Sequence, residues 1–223
     1  MIAEPDDICF GPAGGGAPAA LVLLLHGYGH TAAEMASHAP ALARHLPEAR
    51  FIAVNGFDPC PTWPIGRQWW PVGRRAADER PAAVATTLAL LNQRADGWLK
   101  ALGLSGHRLV VMGFSQGAIL TLEFGLRRSV TPAALVSFSG KLLDDTRIAQ
   151  DVATRPPVLA LHGDLDRAVA VSRLAETEAA LTALDVPVTA RRIATLGHVM
   201  DEEGIAAAGR FAAVALAAPA VSR

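Results

Sequence analysis

The sequence predicts an α/β fold: a mostly parallel central sheet with helices on both faces. Short aliphatic runs alternate with longer helical stretches from residue 19 onward, and such alternation builds strand–helix–strand units around a parallel sheet. The length of 223 residues allows one sizeable core but leaves no room for a large cap, so 1–223 reads as a single domain. With 51% hydrophobic and 18% charged residues the chain has ample apolar surface to bury, which excludes disorder.

Strands are expected at 20–25, 51–54, 109–112, 134–137, 158–161 and 188–192, with residues 8–10 as an additional edge strand before a Gly/Pro-rich turn at 11–18. Helices are expected at 32–45, 80–102, 116–128, 144–151, 172–184 and 201–217. The long irregular stretch 55–75 contains Pro59, Pro61, Pro64 and Pro71. Loops of that length in compact domains are often binding elements. Because it follows a strand, it belongs at the carboxyl edge of the sheet, where open α/β sheets bind ligands.

A net charge of -1 provides no field to attract nucleic acid or an anionic membrane. The acidic start of the chain is unlike a secretory signal, and the apolar run 19–25 is too short to span a bilayer. Cys9 and Cys60 are too few for a disulfide framework and lack metal-ligand spacing. Two reduced thiols fit a cytoplasmic protein. No phosphate-binding, dinucleotide-binding or zinc-protease motif occurs, so no metal or cofactor is expected.

The sharpest chemical signal is Gly113-Phe114-Ser115-Gln116-Gly117, placed between an apolar strand and an apolar helix. A nucleophile on a sharp strand-to-helix turn needs small neighbours two positions to either side, and Gly113 and Gly117 supply them. A serine hydroxyl is a poor nucleophile until a base takes its proton. Of the seven histidines only His198 follows Val169, which fits the chain order nucleophile, acid, histidine. The acid is less sharply defined. Asp164 and Asp166 both follow the strand at 158–161, while Asp144 and Asp145 follow the preceding one. Asp166 is favoured because it lies farther into its loop, whereas Asp164 is suited to bracing its own turn. For a developing oxyanion the backbone N–H of Gln116 and that of Tyr28, in the Gly-rich turn Leu25-His26-Gly27-Tyr28-Gly29, are the expected donors.

His26 and His162 read as structural side chains that brace turns. Trp63, Trp69 and Trp70 in the long loop are candidates either for an acyl-binding wall or for a cover over the core. Arg74 and Arg75 are in reach of an anionic substrate group, although exposed arginines are more often simply solvated.

Taken together, the LLLHGYG segment, GFSQGA, HGDLD, Arg67-Gln68-Trp69-Trp70 and the late Gly197-His198 resemble the phospholipase/carboxylesterase family, which includes small bacterial carboxylesterases and acyl-protein thioesterases. The resemblance covers nearly the whole chain. It implies an α/β-hydrolase fold without a large cap domain, a triad of Ser115, Asp166 and His198, and Tyr28 and Gln116 as oxyanion donors. It further implies a small-molecule ester or thioester substrate, while the long loop, as the best available wall in the absence of a cap, predicts a shallow site that favours short to medium acyl chains. Thioesterase or lysophospholipase activity would use the same machinery, and a non-catalytic binder on this fold is the alternative of another class. The chain departs from the family in having Ala170 after Val169 and in lacking small polar residues after Leu196-Gly197-His198-Val199. The second departure argues for simple esters over acylated proteins. Oligomeric state is not readable from the sequence.

Overall fold

The sheet grows from the run Ala20–Leu25, whose six residues are all buried. A continuous aliphatic run of this kind is what a central parallel strand requires, since both of its faces are covered. The computed structural model describes residues 7–73, 78–143 and 147–219; Arg74, Arg75, Asp144 and Asp145 lie outside them. The strands are β1 (Ile8–Phe10), β2 (Ala20–Leu25), β3 (Ala49–Val54), β4 (Asp58–Pro59), β5 (Arg67–Gln68), β6 (Leu109–Phe114), β7 (Ala134–Phe138), β8 (Val158–Gly163) and β9 (Val188–Ile193). The helices are α1 (Ala32–Ala36), α2 (Ala39–Ala43), α3 (Arg80–Leu102), α4 (Gln116–Gly125), α5 (Ile148–Asp151), α6 (Ser172–Ala183) and α7 (Glu202–Ala217).

Seven strands pair in the order β1-β3-β2-β6-β7-β8-β9. All neighbours are parallel except β1, which runs antiparallel against β3 with Cys9 opposite Ile52. Successive residues of β2 point to opposite faces, as the strand period demands. Leu21, Leu23 and Leu25 join the core under α3, α4 and α6, whereas Val22 and Leu24 join the core under α1, α2 and α7. Among the described residues no helix is long and apolar enough to cross a membrane.

The expected strands and long helices are present, with differences that have local causes. The stretch expected as one helix over 32–45 is broken into α1 and α2, because Pro40 enters at the first turn of α2 and has no N–H to continue the ladder of α1. The helix expected over 116–128 ends at Gly125. Of the helix expected over 144–151, the described part is α5. The long loop is not wholly irregular, since β4 and β5 form a short antiparallel pair within it, Asp58 opposite Gln68.

Two glycines set how closely α4 approaches the sheet. A Cβ on Gly113 would lie 2.2 Å from the Gly117 carbonyl oxygen, and one on Gly117 would lie 2.1 Å from the Leu25 oxygen. Both obstacles are backbone, which cannot swing away as a side chain does. Gly117→Ala is therefore expected to lower the unfolding free energy by about 3 kcal/mol or prevent folding. Gly97→Ala provides the contrast, because that site inside α3 has open space around it. It is expected to gain about 0.5–1 kcal/mol. Urea unfolding of both variants checks the pair.

Candidate active site

β6 delivers Phe114 into a turn at which Ser115 takes φ 52° and ψ −114° before α4 begins. A non-glycine residue in this region is strained, and such strain is retained only where neighbouring structure dictates it. Here the Ser115 N–H donates to the Phe138 oxygen at 2.9 Å, and the Ser115 carbonyl accepts from the N–H groups of Ala118 and Ile119, each at 3.0 Å. The hydroxyl is thereby held above the carboxyl ends of β6 and β7.

The loop after β9 brings His198 to it, with Ser115 Oγ donating to His198 Nε2 at 3.0 Å. On the other side of the ring, His198 Nδ1 donates to Asp166 Oδ2 at 2.7 Å. A carboxylate only accepts, so the proton belongs on Nδ1 and the lone pair of Nε2 faces the serine. The loops bearing Asp166 and His198 are stitched together. The Asp164 N–H donates to the Ile193 oxygen at 3.1 Å and that of Leu165 to the Leu196 oxygen at 2.9 Å.

Asp166 is buried and held on several sides. Its Oδ1 accepts from the N–H groups of Ala168 and Val169, both at 2.9 Å. The Ser139 hydroxyl also donates to the carboxylate, and His162 Nε2 lies 3.3 Å from Oδ2 while donating to the Val169 oxygen at 2.9 Å. Burial by itself raises the Asp166 pKa, but the hydrogen bonds from His198, Val169 and Ser139 and the charge interaction with His198 more than offset it. The carboxyl is therefore held below its ordinary value and stays ionised. Sequence reasoning missed Ser139, whose φ of 51° makes it a second strained residue at the sheet edge. The signal was a Ser-Gly pair directly after an apolar strand. Of the other acids weighed, Asp164 makes no contact with His198 among those seen, and Asp144 and Asp145 lie outside the described residues.

The turn after β2 lies across from Ser115, where a Cβ on Gly27 would lie 3.3 Å from the Ser115 Cβ. The backbone N–H groups of Tyr28 and Gln116 have no partner among the described residues, and so are available to an incoming oxygen. His26 braces this turn, as expected, with Nδ1 donating to the Gly27 oxygen at 2.7 Å and Nε2 accepting from the Gly56 N–H at 2.8 Å. The long loop packs against the same turn. Gly29 N–H donates to the Arg67 oxygen and Arg67 N–H to the His30 oxygen, each at 2.9 Å.

The expectation that Trp69 and Trp70 line an acyl wall is corrected. They are only 1% and 2% exposed and belong to the core under α3 and α4. Their burial follows from polar groups that they satisfy. Trp69 Nε1 donates to the His26 oxygen at 2.8 Å, the Trp69 N–H to Gln116 Oε1 at 3.0 Å, and Gln116 Nε2 to the Trp70 oxygen at 2.8 Å. Burying these indoles removes a large apolar surface from water, and the Gln116 amide satisfies the backbone groups buried with them. Trp63 differs: it is 61% exposed, and its ring covers Gly29 so closely that a Cβ there would lie 2.6 Å from Cδ1.

The strand order and the strand–turn–helix at Ser115 define an α/β-hydrolase fold. The profile of the Phospholipase/Carboxylesterase family matches residues 12–216. Among relatives by sequence, Esterase YpfH of Escherichia coli K12 is 27% identical over 185 residues, spanning 83% of this chain and 78% of that protein. A probable carboxylesterase of Oryza sativa subsp. japonica is 29% identical over 196 residues, 82% of each chain. Among solved structures, esterase PE8 superposes with a TM-score of 0.85 at 30% identity, covering 92% of this chain and 96% of its own. The chain belongs to the phospholipase/carboxylesterase family and is a carboxylic ester hydrolase.

Burial lowers the His26 pKa from 6.5 to about 4, so the ring is neutral at neutral pH. The unfolded chain binds this proton near 6.5 and the folded chain does not, so stability is complete above that pH and falls as pH drops toward 4. The loss attributable to His26 over that window is roughly 3 kcal/mol. In His26→Gln, which keeps an acceptor for the Gly56 N–H, this part of the slope is expected to vanish, although the variant is less stable overall. Denaturant unfolding at half-unit pH steps measures it.

Proposed function

We propose that this protein is a single-domain serine carboxylesterase that hydrolyses short to medium acyl esters through an acyl-enzyme. The observation that carries the reading is the unbroken chain of hydrogen bonds from Ser115 Oγ through His198 to Asp166. In this reading His198 Nε2 takes the serine proton as Oγ attacks the carbonyl carbon, and the backbone amides of Tyr28 and Gln116 receive the negative charge on the carbonyl oxygen. The proton then passes to the departing alcohol oxygen. Water, deprotonated by the same imidazole, later frees the acid and restores the serine. Asp166 holds the tautomer and stabilises the imidazolium. Its four further neighbours, the Ala168 and Val169 amides, Ser139 and His162, leave the carboxylate little freedom to turn away.

Trp63, with the exposed Ile65 beside it in the loop, is the wall we assign to the acyl chain. An open wall of this kind fits modest chain-length preferences, since one methylene contact is worth about 1 kcal/mol or slightly more. The free thiols of Cys9 and Cys60 suit a reducing compartment, so we place the enzyme in the cytoplasm.

Ser115→Ala is expected to abolish ester turnover and labelling by an organophosphonate while the fold is retained; labelling that persists overturns the nucleophile. Asp166→Asn is expected to lower kcat on the order of 10⁴-fold, far more than Asp164→Asn, and the reverse ranking overturns the acid. For the tryptophans the two outcomes separate cleanly. Trp63→Ala flattens the acyl chain-length profile of kcat/KM on soluble esters and leaves the fold intact. Trp69→Ala instead lowers the unfolding free energy by about 3–5 kcal/mol, through the cavity it leaves and the buried polar groups it strands.

A further inference from the structure

Beside His198 lies a cavity of about 260 Å³ between α1 and the histidine loop, with His30, whose carbonyl bonds the long loop at Arg67, also in its lining. Its inner surface is mainly apolar, formed by Met35, Phe114 and Met200, and its rim carries Glu34, Ser37 and His38. Val199, directly after His198, closes one side. The lining includes His198 but none of Ser115, Tyr28 and Gln116. Glu34 is the only Asp, Glu, Lys or Arg in it.

Which part of the substrate meets this cavity follows from the direction of proton transfer, and so rests on the reading of Ser115 and His198 given above. In the tetrahedral intermediate the negative oxygen turns toward the Tyr28 and Gln116 amides, while the oxygen that is to leave must face His198 Nε2, which protonates it. A bond forms between Ser115 Oγ and the carbonyl carbon. The bond from that carbon to the alcohol oxygen breaks with its electron pair on oxygen, and the proton removed from Ser115 completes the alcohol. Nothing is oxidised or reduced. The body of the alcohol therefore extends along the flank of His198, and on the α1 side this flank is the cavity.

The charge at the rim is fixed in place. Glu34 Oε2 accepts from the Thr31 N–H at 2.7 Å and from Thr31 Oγ1 at 3.2 Å, one half of a capping box that ties the carboxylate to the start of α1. That start is in turn anchored to the sheet, since the Ala32 N–H donates to Asn55 Oδ1 at 2.7 Å. Burial pushes the His38 imidazole below its ordinary pKa, so it adds no compensating positive charge at neutral pH.

We propose that the cavity between α1 and His198 holds the departing alcohol, and that Glu34 selects for neutral or cationic apolar alcohols and against leaving groups that carry negative charge, such as phosphate-bearing ones. The acyl chain is left to the separate wall at Trp63, whose ring covers Gly29. Simple esters are thereby separated from lysophospholipids and phosphate-bearing thioesters by their leaving group, with no change in the reacting centre.

The test uses butyrate esters of benzyl alcohols with a para trimethylammonium, carboxamide or carboxylate group, in which the ring and methylene keep leaving-group basicity nearly matched. The readout is the ratio of kcat/KM for the cationic over the anionic ester. For the native protein it is expected to be about fivefold to tenfold at low ionic strength and to shrink as salt is added, as charges across a solvent-open cavity should. Glu34→Gln keeps the capping hydrogen bond and is expected to bring the ratio close to one. Val199→Lys, at a residue 54% exposed, is expected to invert it. A ratio near one or below it in the native protein, or a ratio that both variants leave unchanged, overturns the proposal. Organophosphonate labelling at Ser115 is followed in parallel. Labelling with no charge preference overturns the leaving-group assignment alone, whereas ester turnover that survives Ser115→Ala overturns the serine reading beneath it.

Discussion

A serine held at φ 52° and ψ −114° is costly, by about 1–3 kcal/mol for a residue in so sparse a region, and it persists only because the chain around it permits nothing else. The Phe138 oxygen takes its N–H, the first turn of α4 takes its carbonyl, and Gly117 lets that helix press its backbone onto the end of β2. Three adjacent strands, β2, β6 and β7, thus meet at one point. Each also ends in a group that the proposed mechanism uses: the turn bearing Tyr28 after β2, Ser115 after β6 and Ser139 after β7. A parallel sheet presents all its carboxyl ends on one edge, which lets residues far apart in sequence converge there.

Gln116 extends this arrangement beyond the sheet. Its backbone begins α4, while its side-chain amide bonds the main chain of Trp69 and Trp70. Those indoles pack under the His26 turn, whose own backbone pairs with Arg67. The Ser115 turn, the Tyr28 turn and the long loop therefore form one hydrogen-bonded body, and on the proposed reading this matters because an oxyanion pocket gains most from donors that do not move during the reaction. In a buried network of this kind each bond is made at the expense of desolvation, so the loss of one partner is felt by the others.

The parts of the structure legible in the sequence are those governed by periodicity and local geometry. The buried run of β2, the full extent of α3 and the glycines around Ser115 were all readable, because each follows from a rule acting within a few residues. Chain order pointed to His198, but bottom-up reading left the acid open between neighbouring aspartates, and only the loop geometry shows which of Asp164 and Asp166 faces the ring. The long loop left two readings open for a different reason. Tryptophan has the same composition signal in a wall as in a core, and what buries Trp69 and Trp70 is a partner, Gln116, 47 positions away from Trp69. Ser139 was equally hidden, since its importance lies in a backbone angle and a hydrogen bond across the sheet edge. The break between α1 and α2 was within reach of the rule for Pro40, which the helical pattern over 32–45 obscured.

On the proposed reading the two flanks of the site differ in how firmly they are anchored. The α1 flank carries Met35 and Ala32 in the core, and Asn55 ties its first turn to the end of β3. A cavity wall built in this way can move only with the sheet. The wall assigned to the acyl chain presents Trp63 and Ile65 at the tip of the β4–β5 connection, both well exposed, with the Trp63 ring over Gly29 and Gly66 pressing against the Gly29 carbonyl. Exposed segments with few buried apolar contacts open at lower free energy than the elements they connect. The acyl side can therefore yield to chains of different length, whereas the alcohol side presents a fixed charge in a fixed place. Discrimination by a wall that yields is shallow, because a longer chain displaces it, but a carboxylate bound to Thr31 cannot retreat from an anion without breaking its own cap. On that reading, selectivity rests more on what leaves than on what is transferred.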